Sequence, residues 1–463
     1  MNAQTTPAAR LVIEGAAVAT VDPNGAEYDC GHVVVEAGRI TAVGEGAAPN
    51  FADDVPTRRV DGAGCLATPG LINTHHHLYQ WVTRGLAVDH TLFEWLVALY
   101  PVWGRIDADS VRAAVRGGLA WLALNGCTTS ADHHYVFPRG RREEVLEAQL
   151  SSVRDIGLRF HAARGSMDRG RSDGGLPPDH LVEDVDEILS ATEAVVDAHH
   201  DPSFDSMLRI AVAPCSPFSV SSRLLSESAE LARRKGVRLH THLCESLDEE
   251  QFCRETHGCS PVDYMDSVGW LGEDVWFAHA VHLTPAAVKR MGATGTGAAH
   301  CPSSNARLGT GMADVRALTD ARAPVGLGVD GAASQEAGML SEELRQALYT
   351  ARQLGGPAAM TSRQALALGT IGGARVLGRA DEIGSLEAGK LADIALWRLD
   401  GLAHADIADP VAALVTGAPA PLALLTVGGK TIVEDGELRT ADVEELARHA
   451  RAANRRLVNG DVR

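Results

Sequence analysis

The sequence of 463 residues lacks the features that mark several common classes of protein. None of its eight cysteines forms a C-x-x-C pair, which argues against a zinc ribbon or a thioredoxin-like site. It has no run of about 18 apolar residues that could span a membrane. The first residues do not combine a basic segment with a long apolar one, as a secretory signal does. We therefore expect a cytoplasmic protein with free thiols.

The sequence is also short of positive charge, with 42 Lys and Arg against 60 Asp and Glu and a formal net charge of -18. Nucleic acid and anionic membrane are bound through basic surfaces, so neither is expected as a partner. A small, neutral substrate fits better, and a homo-oligomer is compatible with the composition. The length exceeds what one hydrophobic core serves, which predicts a large catalytic domain and a smaller one.

Both ends of the chain contain short β-rich segments bounded by Gly, Pro or Asp. Residues 1–68 include LVIEGAAVAT and HVVVEAGRITAVG, and residues 379–440 include LADIALW and LALLTVGGKTIVEDGE. We predict that the two ends pair into one small β-sandwich domain. Residues 441–463 have helical spacing and are predicted to form a terminal helix.

Residues 69–378 alternate short apolar runs with amphipathic stretches, which is typical of parallel βαβ units. The eight runs are LINTH (71–75), TTSAD (128–132), LRFHAA (158–163), LRIAVAP (208–214), VRLHTH (237–242), VWFAH (275–279), TGAAH (296–300) and VGLGVD (325–330). Eight such units predict an α/β fold, a (β/α)8 TIM-like barrel that carries the catalytic site.

Most of these runs end at or near a histidine or an aspartate, where a barrel strand meets the active-site mouth. His75 and His77 are two residues apart and point to one side of their strand. His242 can supply a third nitrogen and Asp330 a carboxylate oxygen. The set predicts one divalent metal ion, with Zn²⁺ as the best fit, although imidazole and carboxylate also serve Fe²⁺.

The same strand ends predict the chemistry. Water on such a metal is a hydroxide near neutral pH. Glu245 follows His242 by three residues and can take the proton of this water and pass it to a ring nitrogen and the leaving amine. Asp330 is a second candidate base, and His279 is placed to orient the water. His76, His240 and His282 alternate out of phase with the ligands and are predicted to support the structure around the metal.

Two other sequence patterns would indicate different functions. Gly326, Gly328 and Gly331 satisfy the G-x-G-x-x-G pattern of dinucleotide binding, but two of them lie inside an apolar strand. Asp330 would also repel a pyrophosphate there. The H-x-E and P-C-x-x-C motifs of nucleic-acid-editing zinc deaminases are absent from the sequence.

The motifs PGLINTHHH, HTHLCES, FAHAVHL, HCPSSN and GLGVDGAAS resemble those of the amidohydrolase superfamily over nearly the whole chain. The resemblance implies that His75, His77, His242 and Asp330 are metal ligands, and that Glu245 and His279 are catalytic. It implies a single metal, because LRIAVAPCSPFSV lacks the lysine that two-metal members carry. That absence is typical of the deaminase-like branch.

Within this branch, segments such as HHHLYQ and GCTTSADHHYVFPRG resemble 8-oxoguanine deaminases and triazine hydrolases. The resemblance implies hydrolytic deamination of an amino-heterocycle, with 8-oxoguanine, converted to urate and ammonia, as the preferred substrate. Removal of an alkylamine or chloride from an s-triazine, or deamination of guanine, a pterin or another purine or pyrimidine, remains an alternative.

Four residues are predicted to contact the substrate. Gln80 and Arg164 can bind carbonyl and ring nitrogen atoms of an oxo-purine, Trp103 can cover its face, and His134 can do either. Other roles stay open: the aromatic residues of segment 79–103 could pack on the barrel top, and Arg164 could form an ion pair.

Overall fold

A computed structural model describes residues 10–460 of the chain. Residues 1–9 and 461–463, which belong to the predicted β-sandwich and terminal-helix segments, lie outside the described residues. No helix within residues 10–460 is both long enough and apolar enough to cross a membrane.

Eight parallel strands close into a barrel, as the sequence predicted. The strands are Leu71–Asn73, Cys127–His134, Arg159–Ser166, Leu208–Pro214, Arg238–Leu243, Val275–His279, Gly297–His300 and Val325–Leu327. Leu327 pairs with Asn73 to join the last strand to the first. Beyond this closure, Asp330–Gly331 pairs with His76–His77 in a separate two-residue ladder. The ladder holds Asp330 next to the first strand's histidines.

Helices connect the strands and cover the barrel. The α-helices are Leu92–Trp103, Ala108–Leu124, Arg142–Ile156, Val185–His199, Ser222–Lys235, Leu247–His257, Pro261–Ser267, Pro285–Thr294, Pro302–Leu308, Val315–Asp320, Leu340–Gly355, Ser362–Ala367, Gly373–Val376, Pro410–Thr416 and Val443–Asn459. Short 3₁₀ turns span Leu78–Thr83, Arg171–Asp173 and Asp179–Leu181, and a π-helical turn spans Leu368–Gly372. A serine caps the helix Ser222–Lys235: Ser221 Oγ accepts a hydrogen bond from Leu224 N at 3.2 Å.

Strands from both ends of the chain form one nine-stranded sheet, which is the predicted small β domain. They are Arg10–Ala19, Glu27–Glu36, Arg39–Glu45, Thr57–Asp61, Cys65–Pro69, Ile394–Arg398, Leu422–Val427, Lys430–Glu434 and Glu437–Leu438. The two halves meet where Cys65–Pro69 pairs antiparallel with Ile394–Arg398. The domain has its own apolar cluster, which includes Ile13, Val33 and Ile394.

A buried ion pair joins this domain to the barrel. Arg159 Nε donates to Asp393 Oδ2 at 2.8 Å, and both side chains are 2% exposed. Arg159 begins the third barrel strand, so the contact lies at the end of the barrel opposite the histidine-bearing strand ends. The ion pair therefore ties the β domain to the end of the barrel away from the candidate site.

Candidate active site

The strand ends bring the four predicted metal ligands together. His75 Nε2 lies 3.2 Å and His77 Nε2 lies 3.3 Å from Asp330 Oδ1. His77 Nε2 is 3.0 Å from His242 Nε2. All four side chains are buried. Three nitrogen atoms and one carboxylate oxygen thus face a single point.

The outer ring nitrogens of two of these histidines define where their protons are. His77 Nδ1 lies 2.6 Å from His133 O, and His242 Nδ1 lies 2.6 Å from Cys215 O. A carbonyl oxygen only accepts hydrogen bonds, so each neutral ring carries its proton on Nδ1. Both Nε2 atoms therefore present lone pairs to each other.

The third histidine, His75, also carries its proton on Nδ1, but the acceptor is a side chain instead of a main-chain carbonyl. His240 Nδ1 donates to Trp276 O at 3.0 Å, which leaves His240 Nε2 as the acceptor from His75 Nδ1 at 2.8 Å. His75 Nε2 is buried and has no hydrogen-bond partner within residues 10–460. Four acceptors converge with no donor between them, and this arrangement fits a divalent metal ion.

Two serine hydroxyls hold the carboxylate of Asp330, one of the four predicted ligands. Ser304 Oγ donates to Asp330 Oδ2 at 2.6 Å, and Ser334 Oγ donates to the same atom at 3.1 Å. Burial alone would raise the pKa of Asp330, but its polar contacts outweigh burial and lower that pKa well below the usual value. Asp330 is therefore ionised.

The pKa of Glu245 is shifted in the opposite direction. Burial, reinforced by the charge of Asp330, raises the pKa of Glu245 well above its usual value. His279 lies between the two carboxyl groups, with its Nε2 3.5 Å from Glu245 Oε2 and 4.0 Å from Asp330 Oδ2. Asn305 Oδ1 is 2.9 Å from His279 Nδ1 and fixes the ring from outside. Two carboxyl groups with divergent pKa values are a common basis for acid and base roles.

The backbone is strained at His279, at Asp330 and at Cys244, the residue before Glu245. Cys244, His279 and Asp330 have φ values of 56°, 71° and 65°, in the left-handed region that non-glycine residues rarely adopt. Hydrogen bonds hold this conformation: Asp330 N donates to His75 O at 3.1 Å, and Cys244 N donates to Glu249 Oε1 at 2.7 Å. Strain of this kind tends to cluster at functional sites.

A cavity opens onto three of the four predicted metal ligands, His77, His242 and Asp330. Its lining residues are His77, Leu92, Trp95, Leu96, Tyr100, Tyr135, Cys215, Ser216, Phe218, His242, Glu245, His279, Leu308 and Asp330. The helix Leu92–Trp103 supplies one apolar wall. No Lys or Arg of the described chain is among these residues. This wall therefore offers no cationic side chain to an anionic group.

Sequence reasoning missed several residues of this wall. Tyr135 directly follows the second barrel strand, and Cys215 and Ser216 follow the fourth. Their position just past a strand end is the same signal that identified His242. Trp95 and Tyr100, which the sequence left open between packing and ligand contact, line the cavity.

The four predicted substrate contacts lie outside the cavity wall. Trp103 Nε1 donates to Thr83 Oγ1 at 3.1 Å, and His134 Nε2 lies 3.0 Å from Val136 O. Arg164 pairs with Glu183 at 3.3 Å, the ion-pair alternative noted from the sequence. Their part in substrate binding stays a prediction.

Gln80, the fourth of these residues, packs against Gly331, the residue after Asp330. A Cβ atom on Gly331 would lie 1.9 Å from Gln80 Oε1. That oxygen is buried and has no hydrogen-bond partner in the described part of the chain.

Comparisons with known proteins agree with this geometry. The sequence model of the amidohydrolase family matches residues 66–432. The chain is 45% identical to an 8-oxoguanine deaminase of Pseudomonas aeruginosa over 433 residues, which cover 93% of this chain and 95% of that protein. It is 37% identical to an isoxanthopterin deaminase of an unknown prokaryotic organism, over 86% of this chain and 87% of that one.

The fold has solved relatives of the same size. An atrazine chlorohydrolase of Arthrobacter aurescens, crystallised with zinc, superposes with a TM-score of 0.90 at 33% identity. The match covers 96% of this chain and 100% of that one. The barrel, the convergent histidines and these matches together show that the chain belongs to the amidohydrolase family.

Proposed function

We propose that this protein is a metal-dependent deaminase that hydrolyses 8-oxoguanine to urate and ammonia. One observation carries the proposal: His75, His77, His242 and Asp330 direct only acceptor atoms at one point, beside the high-pKa carboxyl of Glu245. The 45% identity to an 8-oxoguanine deaminase favours this heterocycle over other amino-heterocycles.

The four ligands would hold one divalent ion. Three imidazole nitrogens and a carboxylate oxygen are a preferred set for Zn²⁺, which we propose as the native metal, and they also serve Fe²⁺. A cation at this point lowers the pKa of a water molecule in the site toward neutrality.

The side chains around this point divide the proton transfers between them. Ionised Asp330 accepts a proton from the attacking water, and His279 Nε2 orients that water. Protonated Glu245 donates to a ring nitrogen as the water oxygen bonds to the carbon. Glu245, now ionised, takes the remaining proton of the hydroxyl group as the carbonyl oxygen forms and donates it to the departing amine, which leaves as ammonia. Transfer of the proton held by Asp330 to Glu245 then restores both carboxyl groups to their starting states.

The cavity wall supports a neutral base as substrate. Hydroxyl and thiol groups of Tyr135, Ser216 and Cys215 can donate to exocyclic carbonyl oxygens. Trp95 and Phe218 offer aromatic surface to a flat ring. With Asp330 ionised and no Lys or Arg in the wall, a phosphorylated nucleotide is disfavoured.

A second candidate is an s-triazine that carries an alkylamine. The side chains of Leu92, Leu96 and Leu308 give the cavity an aliphatic surface that suits an alkyl substituent. Glu245 argues against chloride as the leaving group, because an amine needs a proton donor and chloride does not.

We also place the protein in the cytoplasm, since all eight cysteines are free thiols.

A substrate panel tests the proposal. Metal-reconstituted protein would be given 8-oxoguanine, guanine, isoxanthopterin, an alkylamino-s-triazine and the 5′-phosphate nucleotide of 8-oxoguanine, and amine release would be measured. We expect 8-oxoguanine to have the highest kcat/KM and the nucleotide to have a value at least about 100-fold lower, equivalent to about 2.7 kcal/mol. Release of amine from none of these compounds would refute the deaminase, and a preference for the triazine would reassign its substrate.

A further inference from the structure

The three imidazoles that face the metal position are not held in the same way. His77 and His242 donate their Nδ1 protons to main-chain carbonyls, those of His133 and Cys215. Such acceptors persist whatever side chain the residue carries. His75 instead donates to the side chain of His240, at 2.8 Å. The orientation of one ligand therefore depends on the identity of a second residue.

His240 is itself fixed by Trp276. Their rings stack with centroids 4.4 Å apart and an angle of 16° between planes, and His240 Nδ1 donates to Trp276 O at 3.0 Å. The indole Nε1 of Trp276 donates to Thr74 O at 3.1 Å, on the residue before His75. Trp276 and His240 are fully buried. Trp276 thus holds both the main chain before His75 and, through His240, the ring of His75.

We propose that His240, held by Trp276, is a positioning residue that keeps the proton of His75 on Nδ1 and turns the Nε2 lone pair toward the metal. A neutral imidazole has two tautomers, and only one of them offers Nε2 as a ligand. With the acceptor removed, His75 Nδ1–H would be buried without a partner, and the ring would gain the freedom to rotate or to move its proton to Nε2. The inference rests on the metal site put forward under Proposed function.

Two variants of one size separate the acceptor from the packing. In H240Q the side-chain amide oxygen can reach the position of the lost Nε2 and accept from His75. In H240M a side chain of similar length cannot serve as a strong acceptor. H161M provides the control, because His161 is another buried histidine, on the third barrel strand, away from the four ligands.

The measured quantity is the zinc dissociation constant, obtained by competition with a chromophoric chelator. Loss of the partner of a ligating histidine typically weakens metal binding about 10- to 100-fold. We expect this loss in H240M, a change of less than about threefold in H240Q, and no change in H161M. The unfolding temperatures of the metal-free variants would be compared as a measure of packing.

Several results would overturn the inference. If H240M binds zinc as tightly as the unsubstituted protein, or H240Q binds as weakly as H240M, the acceptor has no role. If the unsubstituted protein binds no zinc, the metal site fails as well, which separates this outcome from the first. Should H240M not fold, ¹⁵N NMR of the unsubstituted, metal-free protein decides: a His75 ring protonated on Nε2 contradicts the inference, and protonation on Nδ1 supports it.

Discussion

His77 and His242 direct their Nε2 atoms at each other across 3.0 Å, while the Nδ1 of each donates to a main-chain carbonyl. Neither Nε2 carries a proton, so two lone pairs face each other in a buried site. Without a bound cation, nothing offsets the repulsion between these two lone pairs. A cation placed between the rings would convert the repulsion into two coordinate bonds.

Metal binding should therefore stabilise the protein measurably. Addition of zinc to metal-free protein should raise the free energy of unfolding by about 2.7 kcal/mol when free zinc is about 100 times its dissociation constant. Calorimetry would detect this as a higher Tm, and elemental analysis should find about one metal per chain. In H242A the Tm should not respond to zinc. A metal content near two per chain would contradict the single site.

Replacement of Glu245 by Gln should remove proton transfer and leave the metal site intact. We expect kcat for deamination to fall about 10²- to 10⁴-fold, because glutamine has similar size but cannot carry the proton. Metal content should stay unchanged, since Glu245 is not one of the four ligands. E255Q, on the exposed face of the following helix, is the matched control. An E245Q enzyme that keeps more than about a tenth of its kcat would exclude this role.

The contact between Gly331 and Gln80 predicts a coupled effect. In G331A the new Cβ would lie 1.9 Å from Gln80 Oε1, and Gln80 is fully buried, so either Gln80 or the neighbouring Asp330 must move. We expect a loss of about 1–3 kcal/mol in the free energy of unfolding and lower activity.

A double-mutant cycle measured by urea unfolding checks this coupling. The Q80A substitution should recover part of the stability lost in G331A. G401A is the control, since a Cβ at Gly401 meets no atom within 4 Å. Additive effects of Q80A and G331A would show that the two residues do not restrict each other.

Glu343 should make stability depend on pH. Burial raises the pKa of this carboxyl from 4.5 to about 7, against the hydrogen bonds from Ser303 and Gln335. A folded-state pKa above the unfolded value means that the folded protein binds the proton more tightly. This contribution is fully present below about pH 4.5 and is lost as pH rises through about 7.

The E343Q variant tests this dependence because glutamine does not ionise. Its stability should fall less than that of the unsubstituted protein between about pH 5 and pH 8, by about 1.4 kcal/mol per unit of pKa shift. Urea unfolding at both pH values measures the difference. E342Q, which changes a neighbouring carboxylate that is less buried, should leave the pH dependence as it was. Parallel curves for E343Q and the unsubstituted protein would show that Glu343 does not cause the effect.

The barrel and the convergence of the four proposed ligands could be predicted from the sequence for the same reason. Each barrel strand is a short apolar run, and polar residues at its end have no packing purpose, so His75, His242 and Asp330 stood out. Parallel strands in a barrel bring their ends together whatever the lengths of the connecting segments. Each of the eight predicted runs overlaps one of the eight observed strands.

The cavity wall could not be predicted in this way, because it depends on how loops and helices fold over the barrel. Arg164 lies near the end of a barrel strand, where site residues are expected. Its guanidinium nevertheless forms an ion pair with Glu183, which lies 19 residues later in the chain. The left-handed backbone at Cys244, His279 and Asp330 left no sign in the sequence, since glycine is absent from all three positions.

The sheet built from both chain ends also affects how the protein can fold during its synthesis. Trp397 Nε1 donates to Thr68 Oγ1, a residue that left the ribosome 329 residues earlier, at 2.9 Å. The first five strands of the sheet must therefore wait, with one edge unpaired, until Ile394–Arg398 and the strands after it have been translated. A nascent chain stopped anywhere within the barrel would expose that edge to other chains, so the barrel is the part that can fold early and the β domain is the part that depends on completion.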